Sequence, residues 1–119
     1  MTTKPTPKAP DTASSQEDDW RIECKDLAEV RRHIDAYDEE IAALVSKRHH
    51  FVMQAAKFKP TVENVLVPER IEEIVARVRE IAERYGVSPD VLEKTYRGLL
   101  DGTVSDERRR WQEMHGKTP

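Results

Sequence analysis

The chain of 119 residues is poor in the features that mark several common classes of protein. Its single cysteine, Cys24, cannot form a disulfide within the chain, which suits a reducing compartment. No apolar run approaches the roughly 20 residues of a membrane-spanning helix, and no apolar N-terminal segment suggests secretion. The net charge of −3 offers no basic field to nucleic acid. We therefore expect a cytoplasmic protein that binds neither membranes nor nucleic acid.

Sequence patterns for most kinds of active site are also missing. The chain has no glycine-rich phosphate loop and no pairing of cysteine or serine with histidine that would indicate a nucleophile. Its four histidines and one cysteine show no metal-ligand spacing. We therefore expect neither a metal ion nor an organic cofactor.

The apolar residues repeat with the period of an α-helix, and no segment alternates with the period of a strand. This pattern predicts an all-α domain over residues 20–115, with three helices of which the first is unusually long. Residues 1–19 are rich in proline, threonine and serine, which predicts a disordered tail. Residues 116–119 are predicted to be a flexible C-terminus.

Local signals delimit the three helices. The first is predicted from about Lys25 to Phe58, because no glycine or proline interrupts it. Pro68 suits the first turn of the second helix, and Gly86 suits its end. Pro89, preceded by serine, suits the start of the third helix.

The predicted first helix is too long to be covered by its own chain. At about 1.5 Å per residue it would extend about 50 Å. A compact domain of this size has a diameter of roughly 30 Å. The helix therefore predicts a partner subunit, for which a second copy of the chain is the direct choice. A kinked helix is the alternative, although no breaker residue favours it.

Charged residues interrupt or border the apolar stripes of the helices. Arg48 takes the place of a leucine in the first stripe, and Glu107 lies one turn from Thr103 in the third. Burial of an unpaired guanidinium is costly, so Arg48 requires an anion. That anion is either a protein carboxylate, with Glu107 as the candidate, or a ligand. Arg31, at the edge of the first stripe, pairs with Asp35 or serves a ligand site.

Two basic residues of the first helix cannot hold one small ligand from the same chain. Arg31 and Arg48 would be about 25 Å apart on a straight helix. In an antiparallel dimer they could meet, one from each subunit. Lys59, directly before Pro60, either favours the helix dipole or contacts a ligand from the loop.

The stretch from Leu27 to Lys59, together with the following helix start, resembles the all-α chorismate mutase family. The family pattern is roughly L-x-x-[IV]-R-x-x-I-D-x-x-D-x-x-[IL]-x-x-L-[LIV]-x-x-R, then a lysine before a loop and a Glu-Arg helix start. The matching positions are Leu27, Val30, Arg31, Ile34, Asp35, Asp38, Ile41, Leu44, Val45, Arg48, Lys59, Glu69 and Arg70. The resemblance covers most of the helical domain and implies an intertwined, antiparallel homodimer of three-helix chains.

The resemblance also implies an activity: the rearrangement of chorismate, a small dianion, to prephenate in aromatic amino acid biosynthesis, without a cofactor. Each site would take Arg31 from one chain and Arg48, Lys59 and Glu107 from the other. The two guanidiniums would bind the two carboxylates, and Lys59 would donate to the ether oxygen, with Glu107 as a second catalytic group. The further substrate-binding residues that the resemblance implies are Val65, Glu69 and Thr103.

Two departures from the family pattern leave alternatives open. Glu107 stands where bacterial relatives usually carry glutamine. A carboxyl group donates a hydrogen bond only when protonated, which predicts acid-favoured activity.

Pro68 replaces an arginine of many bacterial mutases, and the Pro-Glu-Arg start is more like the isochorismate-pyruvate lyase branch, which makes salicylate and pyruvate. An aminodeoxychorismate mutase is a third enzyme. A non-catalytic helical dimerisation module, with Arg48 paired to Glu107, is the structural alternative.

Overall fold

A computed structural model describes residues 18–65 and 67–115 of the chain. Three α-helices follow one another: α1 (Leu27–Ala55), α2 (Pro68–Tyr85) and α3 (Pro89–His115). Two short 3-10 helices, Ala56–Phe58 and Val62–Val65, lie between α1 and α2. These ranges contain no strand, which confirms the all-α prediction for the part of the chain described. The chain forms two units, residues 1–41 and residues 42–119.

The two predicted terminal segments fall almost wholly outside the described residues. Of the tail predicted over residues 1–19, only Asp18 and Asp19 are described, and they form a turn in which the Arg21 N–H donates to the Asp18 carbonyl over 2.9 Å. The flexible C-terminus predicted over residues 116–119 lies outside them altogether.

Two side chains cap the N-terminus of α1. The helix begins at Leu27, two residues after the predicted start at Lys25. The Asp26 carboxylate accepts a hydrogen bond from the Glu29 N–H over 2.8 Å. The Glu29 carboxylate in turn accepts one from the Lys25 N–H over 3.0 Å. This reciprocal arrangement satisfies backbone donors that a helix start leaves free, so the helix begins at Leu27.

The ends of the other helices match the signals in the sequence. Pro68 is the first residue of α2, after Val67, and Pro89 is the first residue of α3. Gly86 ends α2 with φ 75° and ψ 23°, and its N–H bonds to the carbonyls of the last turn. Glycine adopts this left-handed conformation without the steric cost that a side chain would bring.

The core of residues 42–119 lies between α2 and α3. Its centre consists of Ile74, Val78 and Leu100, all less than a tenth exposed, with Ile71, Leu92 and Tyr96 packed against them. Ion pairs cross the same boundary at its edge. Arg79 of α2 lies 2.7 Å from Glu93 of α3, and Arg97 of α3 lies 3.1 Å from Glu72 of α2.

The apolar stripe of α1 is left uncovered. No residue of α1 is buried. Within residues 1–41 the stripe exposes between 37% and 58% of each large apolar side chain, namely Leu27, Val30, Ile34, Tyr37 and Ile41. Within residues 42–119, Leu44 and Phe51 are 54% and 68% exposed. Exposed large apolar side chains at helical spacing are typical of a surface that binds another protein.

No helix among the described residues is both long enough and apolar enough to span a membrane.

A cluster of charged side chains joins α1 to α3 within residues 42–119. His49 Nε2 lies 2.6 Å from Asp106 Oδ2. Arg109 donates to the other oxygen of the same carboxylate. The hydrogen bond with His49, followed by that with Arg109, lowers the pKa of Asp106 below its ordinary value.

Asp106→Asn should make the stability of the chain less sensitive to acid. Because the pKa of Asp106 is lower in the folded chain, its carboxylate stabilises the fold above its ordinary pKa of about 4, and this contribution disappears as the pH falls through the folded value. Urea midpoints at neutral and acidic pH should therefore differ less for the variant than for wild type. Asp101→Asn, an exposed change on the same helix, is the control. Equal acid sensitivity of all three proteins would contradict the prediction.

Candidate active site

A cavity of about 310 Å³ lies within residues 42–119, among the end of α1, the following loop, the start of α2 and the middle of α3. Its volume is at the lower end of the range for small-molecule sites. Its walls are mostly apolar. The polar and charged side chains that line it are Arg48, Lys59, Arg70, Thr103 and Glu107.

Lys59 and Glu107 form an ion pair in the wall of this cavity. The Lys59 ammonium lies 2.9 Å from Glu107 Oε2 and 3.4 Å from the carbonyl oxygen of Val65. Glu107 is only 4% exposed, so its carboxylate is almost fully removed from water and depends on this cation for compensation. The indole N–H of Trp111 donates to the carbonyl of Lys59 over 2.8 Å. Two turns of α3 therefore hold both the side chain and the backbone of Lys59.

Arg48 lines the cavity and carries a buried donor. Its Nη1 atom is buried and has no hydrogen-bond partner among the described residues. The ion pair between Arg48 and Glu107, considered from the sequence, is therefore not formed, because Glu107 bonds to Lys59 instead. A buried guanidinium nitrogen without a partner is costly, and an anionic ligand would remove that cost with charge-assisted hydrogen bonds.

The structure brings together some of the other predicted site residues. Val65 and Thr103 line the cavity. The Thr103 hydroxyl donates to the Leu100 carbonyl over 3.3 Å, which directs it toward its own helix. Glu69 does not line the cavity and lies exposed in the first turn of α2.

Arg31 belongs to the other unit of the chain, residues 1–41, where it is exposed. No ion pair joins it to Asp35 in the described part of the chain, although the spacing of one helical turn would allow one.

Arg70 also lines the cavity, and it is a residue of the family pattern for which the sequence predicts no binding role. Its Nη1 donates to Glu73 over 3.0 Å at the exposed rim. The sequence does contain a signal for the placement of Arg70 in the cavity wall: it is adjacent to Ile71, which packs against the core. The side chain of Arg70 therefore starts at the border of the buried face of α2. Arg70 is thus a second guanidinium that a ligand could contact.

A second and larger cavity, of about 700 Å³, lies beside His49, Asp106 and Arg109. There the Asp106 carboxylate contacts both His49 and Arg109. Among the described residues, no buried and unsatisfied donor faces this cavity. The smaller cavity, with the free Nη1 of Arg48, is the better candidate for a binding site.

Comparison with known proteins points to one family. The chorismate mutase type II family profile matches residues 30–108. The isochorismate pyruvate lyase of Pseudomonas aeruginosa is 23% identical over 94 residues, which cover 79% of this chain and 93% of that protein. The chorismate mutase of Methanocaldococcus jannaschii is 25% identical over 92 residues, 76% of this chain and 93% of that protein. The T-protein of Enterobacter agglomerans is 30% identical over 83 residues, 69% of this chain but only 22% of that protein.

Proposed function

Because this chain belongs to the chorismate mutase type II family, we propose that it converts chorismate to prephenate in the cavity beside Arg48. The observation that carries the proposal is the buried Nη1 atom of Arg48, which has no hydrogen-bond partner within residues 18–65 and 67–115. It lies in the same cavity as the ammonium of Lys59. A dianionic substrate would supply the missing acceptor and meet a second cation.

The reaction needs little covalent chemistry from the protein. In one concerted step the ether C–O bond of chorismate breaks while a C–C bond forms, with no proton or electron taken from a side chain. The protein must hold the compact conformer and stabilise the negative charge that develops on the ether oxygen. Arg48 would bind a carboxylate as a fork, and the Lys59 ammonium would donate to the ether oxygen.

We propose that the second carboxylate is bound by Arg31 of a second copy of the chain. The exposed apolar stripe of α1 supports such a dimer, since its burial against another copy would remove a large apolar surface from water. The arrangement proposed is an antiparallel homodimer with two shared sites. Arg70, which lines the cavity from the same chain, is the competing candidate for this carboxylate.

A second activity on the same site is the cleavage of isochorismate to salicylate and pyruvate. Two observations favour it: the similarity to an isochorismate pyruvate lyase over 93% of that protein, and the start of α2 at Pro68. That proline stands where many mutases would supply one more cation.

Incubation of the protein with chorismate and with isochorismate, in separate reactions, tests the proposal. Prephenate from chorismate supports the mutase, and salicylate with pyruvate from isochorismate supports the lyase. Arg48→Lys is the informative variant, because it keeps the charge but loses the fork that binds a carboxylate in two places. If neither substrate is consumed faster than in buffer, both activities are refuted, and an aminodeoxychorismate mutase or a non-catalytic dimerisation module remains.

Glu107→Gln should flatten the pH dependence of kcat. In wild type a carboxyl group at this position can donate to the substrate only when protonated, so kcat should fall as the pH rises. A glutamine amide donates whatever the pH. The same change removes the charge partner of Lys59, so KM should be measured alongside kcat. A wild-type kcat that does not change with pH would refute the role of Glu107 as a donor.

A further inference from the structure

Three metal-ligating side chains meet within residues 18–41, apart from the cavity described above. The ligand atoms of Cys24, Glu29 and His33 all lie within 4.8 Å of one another. Glu29 and His33 are four residues apart on α1, a spacing that places two ligands on one face of a helix. Cys24 comes from the segment without regular secondary structure that precedes the helix. The sequence showed no metal-ligand spacing, because Cys24 joins the pair only where the chain turns into α1.

The backbone around this cluster is held in place by the cap of α1. Glu29 Oε1 accepts a hydrogen bond from the N–H of Lys25, the residue after Cys24. The other oxygen of the same carboxylate, Oε2, lies 4.0 Å from His33 Nε2. One oxygen of Glu29 therefore fixes the loop, while the second remains available beside an imidazole nitrogen and a thiol.

The charges around Cys24 are mostly negative. The carboxylates of Glu29, Glu23 and Asp26 act on the thiol, against one cation, Arg32. A dication bound by the three ligands would offset this negative charge.

We propose that Cys24, Glu29 and His33 form a binding site for a zinc-class dication, with solvent in the fourth position. Thiolate, imidazole and carboxylate are the ligands that Zn²⁺ takes in tetrahedral sites, whereas the thiolate disfavours Mg²⁺ and Ca²⁺. Bonds to Zn²⁺ place neighbouring ligand atoms about 3.5 Å apart, so small side-chain rotations would close this site. The metal would tie the segment before α1 to the first two turns of the helix.

The site is compatible with the role proposed for Arg31. Arg31 is two residues from both Glu29 and His33, so on an α-helix its side chain leaves from the opposite side. A metal ion would therefore stabilise the helix start that carries Arg31 without occupying the space of its guanidinium. The metal site does not depend on the proposed activity, and each can fail without the other.

Titration of the reduced, metal-free protein with Co²⁺ tests the site directly. We expect one equivalent to produce a thiolate-to-cobalt charge-transfer band in the near ultraviolet, together with the strong visible bands of tetrahedral cobalt. Zn²⁺ should then displace the cobalt and remove the bands. Zn²⁺ should also raise the melting temperature in a concentration-dependent way, which a chelator reverses.

Four variants separate this site from incidental binding. Cys24→Ser should abolish the charge-transfer band, and His33→Ala and Glu29→Gln should each weaken Co²⁺ binding by at least about tenfold. Glu29→Gln keeps the oxygen that caps the helix, so the fold should be retained. His50→Ala, an exposed change further along α1, should bind as wild type does. The proposal is overturned by the absence of a band at stoichiometric cobalt, or by an unchanged band in both His33→Ala and Glu29→Gln.

Discussion

Lys59→Ala should lower kcat for chorismate by about 100- to 1,000-fold, the usual effect of removing one donor aimed at developing negative charge. The Lys59 ammonium is the cation that contacts Glu107 at the wall of the cavity, over 2.9 Å. The variant loses this donor and leaves the buried carboxylate of Glu107 facing a dianionic substrate. Both effects act in the same direction, so kcat/KM should fall further than kcat. Steady-state kinetics with prephenate detection would measure both.

Two further variants make this result specific. Lys57→Ala removes an exposed lysine two residues away and should leave kcat within about twofold of wild type, as for a distant surface change. Lys59→Ala also removes the charge partner of buried Glu107 and so should lower stability. The double change Lys59→Ala with Glu107→Gln removes that unpaired charge. If the double variant folds as wild type does and retains full activity, Lys59 has no part in catalysis.

Mixing two inactive variants, Arg31→Ala and Arg48→Ala, should restore activity if the site is shared between subunits. Each variant alone should lose most of its activity, because one carboxylate of the substrate would have no guanidinium. After joint unfolding and refolding, half of the dimers contain one chain of each kind. Each mixed dimer has one site with both arginines intact, so about a quarter of wild-type activity should return.

The control for this experiment is a mixture of Arg48→Ala and Lys59→Ala. Both residues line the cavity of the same chain, so no combination of these two variants contains an intact site. This mixture should remain inactive. If Arg70 rather than Arg31 binds the second carboxylate, Arg31→Ala will be active by itself, Arg70→Ala will be inactive, and the shared site is wrong.

The starts of α2 and α3 and the end of α2 could be predicted from the sequence because they depend on local chemistry, whereas α1 ends at Ala55 and only a 3-10 turn reaches the predicted end at Phe58. Pro68 and Pro89 start helices since their missing N–H groups are not needed there, and Gly86 ends one in a left-handed conformation. The start of α1 also depends on local chemistry, but it lies at Leu27, two residues after the predicted start at Lys25. Its signal was the cap formed by Asp26 and Glu29, which the apolar pattern does not contain.

The pairing of charges in the candidate site could not be read from spacing. Arg48 and Glu107 both interrupt apolar stripes, but which cation meets Glu107 depends on how the loop after α1 returns to α3. That return brings Lys59 to the carboxylate, while Nη1 of Arg48 has no hydrogen-bond partner in the part of the chain that the structure describes. The placement of Glu69 outside the cavity and Arg70 beside it follows from the orientation of α2, a tertiary property.

The hydrogen bond from the Trp111 indole to the Lys59 carbonyl gives the chain a built-in optical reporter. Tryptophan emission responds to the polarity and charge around the ring. The Trp111 ring is hydrogen-bonded to the backbone of Lys59, the residue proposed to contact the ligand. The chain has one other tryptophan, Trp20, which belongs to residues 1–41. With Trp20→Phe as background, the remaining emission would follow ligand arrival in real time without a label.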